Sequence, residues 1–432
     1  MRIQEAGPTH GEAPTVNRAI CAFATVLAII VGACGTSAGS SDNGHRITPG
    51  LPSTPGASST STASPTASEP APYGLGRFPA PPTGALPIET ASALQAILDR
   101  AASNLPGVSA TVIVAGRGTW SGAAGTADDA HAVEVDSSFG IASFTKTVIA
   151  AEIMLLADHG KLALSDPVSA HLPADFTFDT NGATIGNLLA MESGIPDPAL
   201  NNTDYAADPM RDWSVREVLA TVPADRSKPG DHFVYEDANY MLLGMVVAQV
   251  TGQTTAAALR SGVLADPRFA ALVYQPEEKP TGSLALPHVN GQLRPDILAR
   301  GGGYLPSKAE ASEGNGSGCM ASDSGTLALW GYQLFGGAIL SQQAVRTMSD
   351  FGADLPNGVM GPYGMGVFDQ TNLASGYGVP TVGNGGWDDG GYSSVMSVIP
   401  SEGIAIAVLT NEAGDPKQLV MPLAQQMAAV LR

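Results

Sequence analysis

Cysteine is almost missing from this chain, with 3 in 432 residues. Cys21 lies in an N-terminal apolar run, Cys34 follows that run, and Cys319 stands alone in the remainder. No intramolecular disulfide is therefore available in the body. The neighbours of Cys319, "GSGCMAS", are mostly small, which fits a buried and inert thiol. Positive charge is scarce too: Lys and Arg total 21 against 40 Asp and Glu, a formal net charge of −19. No basic stripe occurs, and phosphate binding needs clustered Lys and Arg, so a nucleic-acid partner is excluded. The 7 histidines are scattered and no H-E-x-x-H motif is present, so no metal site is expected. His232, close to Tyr235, is the one histidine to follow. There is no G-x-S-x-G, which argues against an α/β-hydrolase. "GNGSG" and "GNGG" follow no strand–helix dinucleotide pattern and read as turns. No organic cofactor is implied.

What is present begins with a leader. Arg18 precedes the apolar run Ala19 to Val31, "AICAFATVLAIIV". About 13 residues is too short for a membrane-spanning helix, which needs roughly 20. It matches the apolar core of a secretory signal peptide. The run ends in "VGAC", Val31 to Cys34, which looks like a bacterial lipobox. Residues 1–33 are thus expected to be a cleaved signal peptide and Cys34 the lipidated first residue. Lipid chains at about 0.8 kcal/mol per buried CH₂ would anchor it to the outer face of the cell membrane. Residues 34–87 are mainly Ser, Thr, Pro, Gly and Ala, with too few large apolar side chains to offset chain entropy. They read as a disordered tether with a reach of roughly 40 Å.

Residues 88–432 carry the fold. With 44 % hydrophobic residues the chain can build a large core. Apolar spacing predicts a helix over Ala91 to Ser103. "SATVIVA" and "TWSGAAG" read as strands around the turn "GRG". Tyr392 to Ile399 and Ile404 to Thr410 flank "PSEG" as a β-hairpin, and Pro416 to Leu431 reads as a final helix. The stretch from about 150 to 310 is mostly helical and loop-like. The expected fold class is α/β (an α+β sandwich): one antiparallel sheet built from both ends of the domain, covered by helices, with a mostly helical insertion.

The chemistry concentrates in Phe139 to Leu162, "FGIASFTKTVIAAEIMLLADHGKL", which reads as a helix. Ser143 and Lys146 stand three residues apart and share a face. A serine hydroxyl is a poor nucleophile without an adjacent base. Lysine can be that base only as the neutral amine, which costs roughly 4.6 kcal/mol at pH 7 from a pKa near 10.4. Ile141, Val148 and Ile149 surround the pair with apolar groups, and burial lowers that cost. Ser143 and Lys146 form the only S-x-x-K in the chain.

The same segment resembles the nucleophile region of the serine β-lactamase and penicillin-binding protein superfamily. The resemblance is to its class C β-lactamase, D-alanyl-D-alanine carboxypeptidase and esterase branch. "LLAMESGIPD", "FVYEDANYMLLG", "GCMASDSGTLALW" and "VGNGGWDDGGYSS" match further segments of that branch in order. The resemblance implies that Ser143 forms an acyl-enzyme, that Lys146 takes or steers its proton, and that Tyr235 is a second acid/base group. It places substrate contacts at Asp237, Asn384, Gly385, Gly386 and Trp387, with the N–H groups of Ser143 and Trp387 as an oxyanion hole.

Two positions depart from the pattern. Asp237 replaces a common asparagine; it cannot donate to an amide carbonyl, and near Lys146 it would favour the ammonium. Asn384 replaces a Lys or His that would hold a substrate carboxylate. Both changes shift the expectation away from anionic β-lactams, with loop arginines such as Arg300 able to restore charge. The expected function is a cell-surface lipoprotein serine hydrolase acting on an ester or amide. The alternatives are a D,D-carboxypeptidase or β-lactamase, and a weakly active or inactive surface binding protein. Expected partners are a small ester or peptide substrate and the membrane, through Cys34. The sequence carries no signal for an oligomeric state.

Overall fold

The computed structural model describes residues 76–200, 202–294, 302–351 and 361–432. The chain divides into two units, Met1–Ala67 and Ser68–Arg432, and every described residue belongs to the second. Residues 1–33, expected to be a signal peptide, together with Cys34 and Arg300, lie outside the described residues.

Helix α1 (Ile88–Ala101) leads into the hairpin of β1 (Gly107–Val114) and β2 (Gly118–Gly125). Strand β3 (Phe139–Gly140) and a 3-10 turn (Ala142–Phe144) precede α2 (Thr145–Asp158). Five helices follow: α3 (Ile185–Leu189), α4 (Asn202–Ala207), α5 (Val215–Leu219), α6 (Ala238–Thr251) and α7 (Thr255–Ser261). Short strands β4 (Val273–Tyr274), β5 (His288–Val289) and β6 (Gln292–Leu293) come next. Then come α8 (Lys308–Glu313), β7 (Met320–Ser322), α9 (Ser324–Phe335) and α10 (Gln342–Met348). Strands β8 (Phe368–Asp369), β9 (Val382–Asp388), β10 (Tyr392–Ile399) and β11 (Ile404–Thr410) precede the final helix α11 (Met421–Leu431).

The main sheet has the order β2-β1-β11-β10-β9-β8 and its pairs are antiparallel. Both ends of the domain build it, as the sequence pattern predicts. The β10–β11 hairpin falls on the two predicted runs, and Gly403 takes the positive φ of 62° that its turn requires. Every residue of β1, β10 and β11 is buried, so both faces of these strands are covered. That explains the nearly continuous apolar runs, which a half-exposed strand would not tolerate. Helices α1 and α11 pack on each other and on the sheet. Leu94, Ile97, Leu98 and Ala101 form the buried stripe of α1 at helical spacing. Helix α9 packs on β1, β10 and β11, where the Ser324 hydroxyl lies 2.9 Å from Ser109 Oγ and 3.0 Å from Thr111 Oγ1.

The inserted region is less uniformly helical than expected. β3, β7 and β4 form a small sheet of their own, and β5 pairs with β6. Residues 76–87, read as the end of the tether, lie against the body. The Phe78 ring sits 4.9 Å from that of Tyr332, and Leu86 is buried. One aromatic and one leucine in an otherwise small-residue segment supply the apolar contact that composition averages away.

Candidate active site

The nucleophile turn is held from several sides. β3 pairs with β7, and the Ile141 N–H donates to the Met320 carbonyl at 2.9 Å. The Thr145 hydroxyl donates to the Ala142 carbonyl at 2.8 Å and accepts from the Met320 N–H at 3.0 Å. Phe144 is fully buried, with its ring edge-on to Trp330 at 5.8 Å. Ser143 alone is left half-exposed between buried neighbours. The turn departs from the expected continuous helix. Ser143 lies in the 3-10 segment, preceded by Ala142 at φ 46°, and α2 begins only at Thr145. A left-handed alanine is strained, and such strain persists only where surroundings over-determine it. The three-residue spacing still works: Lys146 Nζ donates to Ser143 Oγ at 2.9 Å.

Lys146 is fully buried. Its Nζ also donates to the Ser317 carbonyl at 2.9 Å and stands 2.5 Å from Asp237 Oδ1. Desolvation is the largest single influence on this amine and opposes its charge. The Asp237 carboxylate and the Tyr235 oxygen outweigh it and hold the amine above its ordinary value. The neutral amine expected from burial is therefore not what this site holds. The opposing effect foreseen for Asp237 prevails, because the carboxylate touches the nitrogen directly.

Tyr235 places a further ionisable oxygen beside the pair. Its ring centre lies 5.0 Å from Lys146 Nζ, and its phenol interacts with Ser143 and Lys146. Burial pushes the phenol above its ordinary value, and the positive charge of Lys146 pulls the other way. Tyr363 and Phe368 flank the ring at 6.0 and 6.1 Å. Asp237 opens α6, yet its own side chain does not cap the helix. Asp197 does so instead, accepting from the N–H groups of Asp237 and Ala238, which frees the Asp237 carboxylate to face Lys146.

Strand β9 forms the facing wall. A Cβ added to Gly386 would stand 2.6 Å from the Ser143 nitrogen and 2.6 Å from the Ile141 carbonyl oxygen, so only glycine fits there. Trp387, next along, is 37 % exposed and lines the same cavity as Ser143. Asn384 does not reach that cavity. It is fully buried and donates to Thr147 Oγ1 at 2.8 Å and the Gly366 carbonyl at 3.1 Å. Its carbonyl accepts from the Gly385 N–H at 2.8 Å. The substrate-contact reading of Asn384 is corrected accordingly: its polar groups are committed to the interior, and Gly385 is buried beside it. His232 is exposed and does not line the cavity. Cys319 is buried, with its thiol pushed up to about 12 by desolvation, as the inert reading requires.

The cavity beside Ser143 has a volume of about 140 Å³. Its lining includes Asp237, Glu310, Glu313, Trp387, Asp388 and Asp389. Four of those carboxyls were not singled out from the sequence. The "WDDGG" run after Trp387 was the one local signal available for two of them.

Known proteins resemble this chain in sequence and in fold. A family model described as Beta-lactamase matches residues 91–429. The chain belongs to the Beta-lactamase family. It is similar to Penicillin-binding protein 4 of Amycolatopsis lactamdurans, 30 % identical over 297 residues, covering 65 % of this chain and 74 % of that protein. It is also similar to Protein flp of Staphylococcus aureus (strain COL), 36 % identical over 124 residues. That match spans 27 % of this chain and 24 % of the relative's length. Among solved structures, D-amino acid amidase from Ochrobactrum anthropi SV3 superposes with a TM-score of 0.66 at 23 % identity, covering 79 % of this chain and 98 % of the other. The penicillin binding protein from Bacillus halodurans gives 0.62 at 21 %, covering 78 % and 98 %. At those identities the likeness is one of fold, and it is the α+β sandwich with a helical insertion that the sequence pattern predicts.

Proposed function

We propose that this Beta-lactamase family member is a serine hydrolase that opens an ester or amide through an acyl-enzyme on Ser143. The carrying observation is the contact of Ser143 Oγ with Lys146 Nζ at 2.9 Å, beside the Tyr235 phenol. Lys146, held as an ammonium by Asp237, steers the hydroxyl and stabilises negative charge on its neighbours. In its phenolate form, which the adjacent Lys146 charge favours against the effect of burial, Tyr235 accepts the Ser143 proton as the Oγ–carbonyl bond forms, then returns it to the leaving oxygen or nitrogen. The Ser143 and Trp387 N–H groups receive the developing oxyanion. Water repeats the sequence in reverse to release the acid. The amidase and penicillin-binding neighbours support acyl transfer as the reaction class. Residues 1–33 and Cys34 support export and lipid anchoring at the bacterial cell surface.

Labelling with a fluorophosphonate and turnover of short acyl esters, nitrocefin and D-Ala-D-Ala peptides test this reading. We expect labelling and ester turnover, both reduced to background in Ser143→Ala. Labelling that survives in Ser143→Ala defeats the assignment. Turnover of esters alone excludes the carboxypeptidase and β-lactamase alternatives.

A further inference from the structure

The cavity beside Ser143 is acidic, and no lysine or arginine occurs among its lining residues. Lys146 lies behind the wall and is matched by Asp237 at 2.5 Å. Glu310 faces Arg294 at 3.8 Å, and that guanidinium also donates to the Gly390 carbonyl at 2.9 Å. Among the described residues Glu313 and Asp388 form no ion pair with a base: Tyr205 interacts with Glu313, and the Gly391 and Tyr392 N–H groups donate to Asp388 at 2.7 and 3.1 Å. The same cavity also holds the reacting group. Ser143 stands on its wall, so a reacting acyl group must enter it. Asn384 brings no polar group to this cavity, since its amide is engaged in the core.

Resting on the serine-hydrolase reading above, we propose that this cavity selects substrates carrying a positively charged amine close to the scissile carbonyl, held by Glu313 and Asp388. An entering carboxylate would meet a partly desolvated wall of carboxyls with no lysine or arginine to pair it. An entering ammonium replaces the hydration those carboxyls have lost. Burial, the larger cause, and neighbouring carboxylates push Glu313 up to about 8 and Asp388 up to about 7, so both are largely protonated in the empty cavity at pH below 7, and an entering ammonium draws them into the charged form. Rejection of anions and attraction of amines thus come from the same wall.

The test uses nitrophenyl esters whose acyl chains, at matched lengths of three to six carbons, end in ammonium, methyl or carboxylate. The expected kcat/KM for the ammonium ester exceeds that of the methyl ester at least tenfold, with the carboxylate ester lowest. Glu313→Gln and Asp388→Asn each cut the ammonium-to-methyl ratio at least threefold. The ratio is the readout, so a general loss of activity moves both rates together. If a variant does not fold, the three-ester comparison on the unaltered protein still decides. Equal rates at every length, or preference for the carboxylate, overturn the proposal while Ser143-dependent turnover leaves the hydrolase reading standing. Absence of any Ser143-dependent turnover or fluorophosphonate labelling removes both.

Discussion

Asp237 is the residue on which the chemistry turns. Its carboxylate sits 2.5 Å from Lys146 Nζ and raises the proton affinity of both Lys146 and Tyr235. Asp237→Asn removes that charge while keeping size, so both groups become easier to deprotonate. Each unit of downward shift is about 1.4 kcal/mol, or tenfold in the population of the active base. The new amide also brings a donor for a substrate carbonyl. The expected outcome is an acylation rate by a fluorescent penicillin about tenfold higher than in the unaltered protein at pH 7, measured by stopped labelling. An unchanged or lower rate would mean that the carboxylate assists the reaction. Tyr235→Phe is the complementary change. It keeps the ring packing on Tyr363 and Phe368 but deletes the proposed proton acceptor. Its expected loss in ester turnover is about 10² to 10⁴-fold, the usual scale of general acid–base catalysis. Fluorescence-monitored unfolding should move little, because the hydroxyl contacts only the site.

Among elements, β9 and the nucleophile turn depend on one another. Gly386 brings the strand to within contact of the Ser143 amide, and a methyl group there would lie 2.6 Å from that nitrogen. Gly386→Ala must therefore push β9 and the turn apart. The sheet register on the far side of β9, where Ser394 pairs with Gly386 and Val398 with Val382, gives the strand other holds. The expected phenotype is a fall of at least a hundredfold in kcat from a misplaced oxyanion donor, with far-ultraviolet dichroism preserved. Loss of the fold, or full activity, would each contradict the geometry. This dependence was not legible in the sequence, where "GNGG" reads as a turn. The glycines are packing residues within a strand, and nothing local announces the neighbour they accommodate. The β10–β11 hairpin was legible because "YSSVMSVI" and "IAIAVLT" are strong strand formers separated by a tight turn. Ser143 and Lys146 were legible for a similar reason: their contact is local. The 3-10 break before α2 was not, because Ala142 adopts φ 46° under tertiary constraint rather than by its own preference.

Across the whole molecule, long-range assembly is what escapes sequence reading. Glu313 and Asp388 reach one cavity from α8 and the end of β9, elements with no shared local period. The Asp197 cap on α6 likewise bridges distant segments. The same assembly leaves several carboxyls buried or half-buried, with a consequence for stability. Glu152 on α2 is 2 % exposed and accepts a hydrogen bond from the Val263 N–H at 3.0 Å. Desolvation pushes its carboxyl from an ordinary 4.5 up to about 7, against the opposing pull of that bond. Asp388, Glu313 and Asp197 are raised in the same direction, to about 7, 8 and 9. A folded-state value above the unfolded one favours the native state while the group is protonated in it. That stability is complete below about pH 4 and is lost as pH rises through 7 to 9. The half-buried Asp166 and the exposed Asp175 and Glu217 are lowered and act the other way, but only on the acid side of their ordinary values. For Glu152 alone the rise corresponds to on the order of 3 kcal/mol. The melting temperature should therefore fall by several degrees between pH 5 and pH 8, and Glu152→Gln should flatten that slope by removing one ionisation without changing shape. A melting temperature independent of pH across this window, or an unaltered slope in Glu152→Gln, would show that the Glu152 carboxyl is hydrated in the native state.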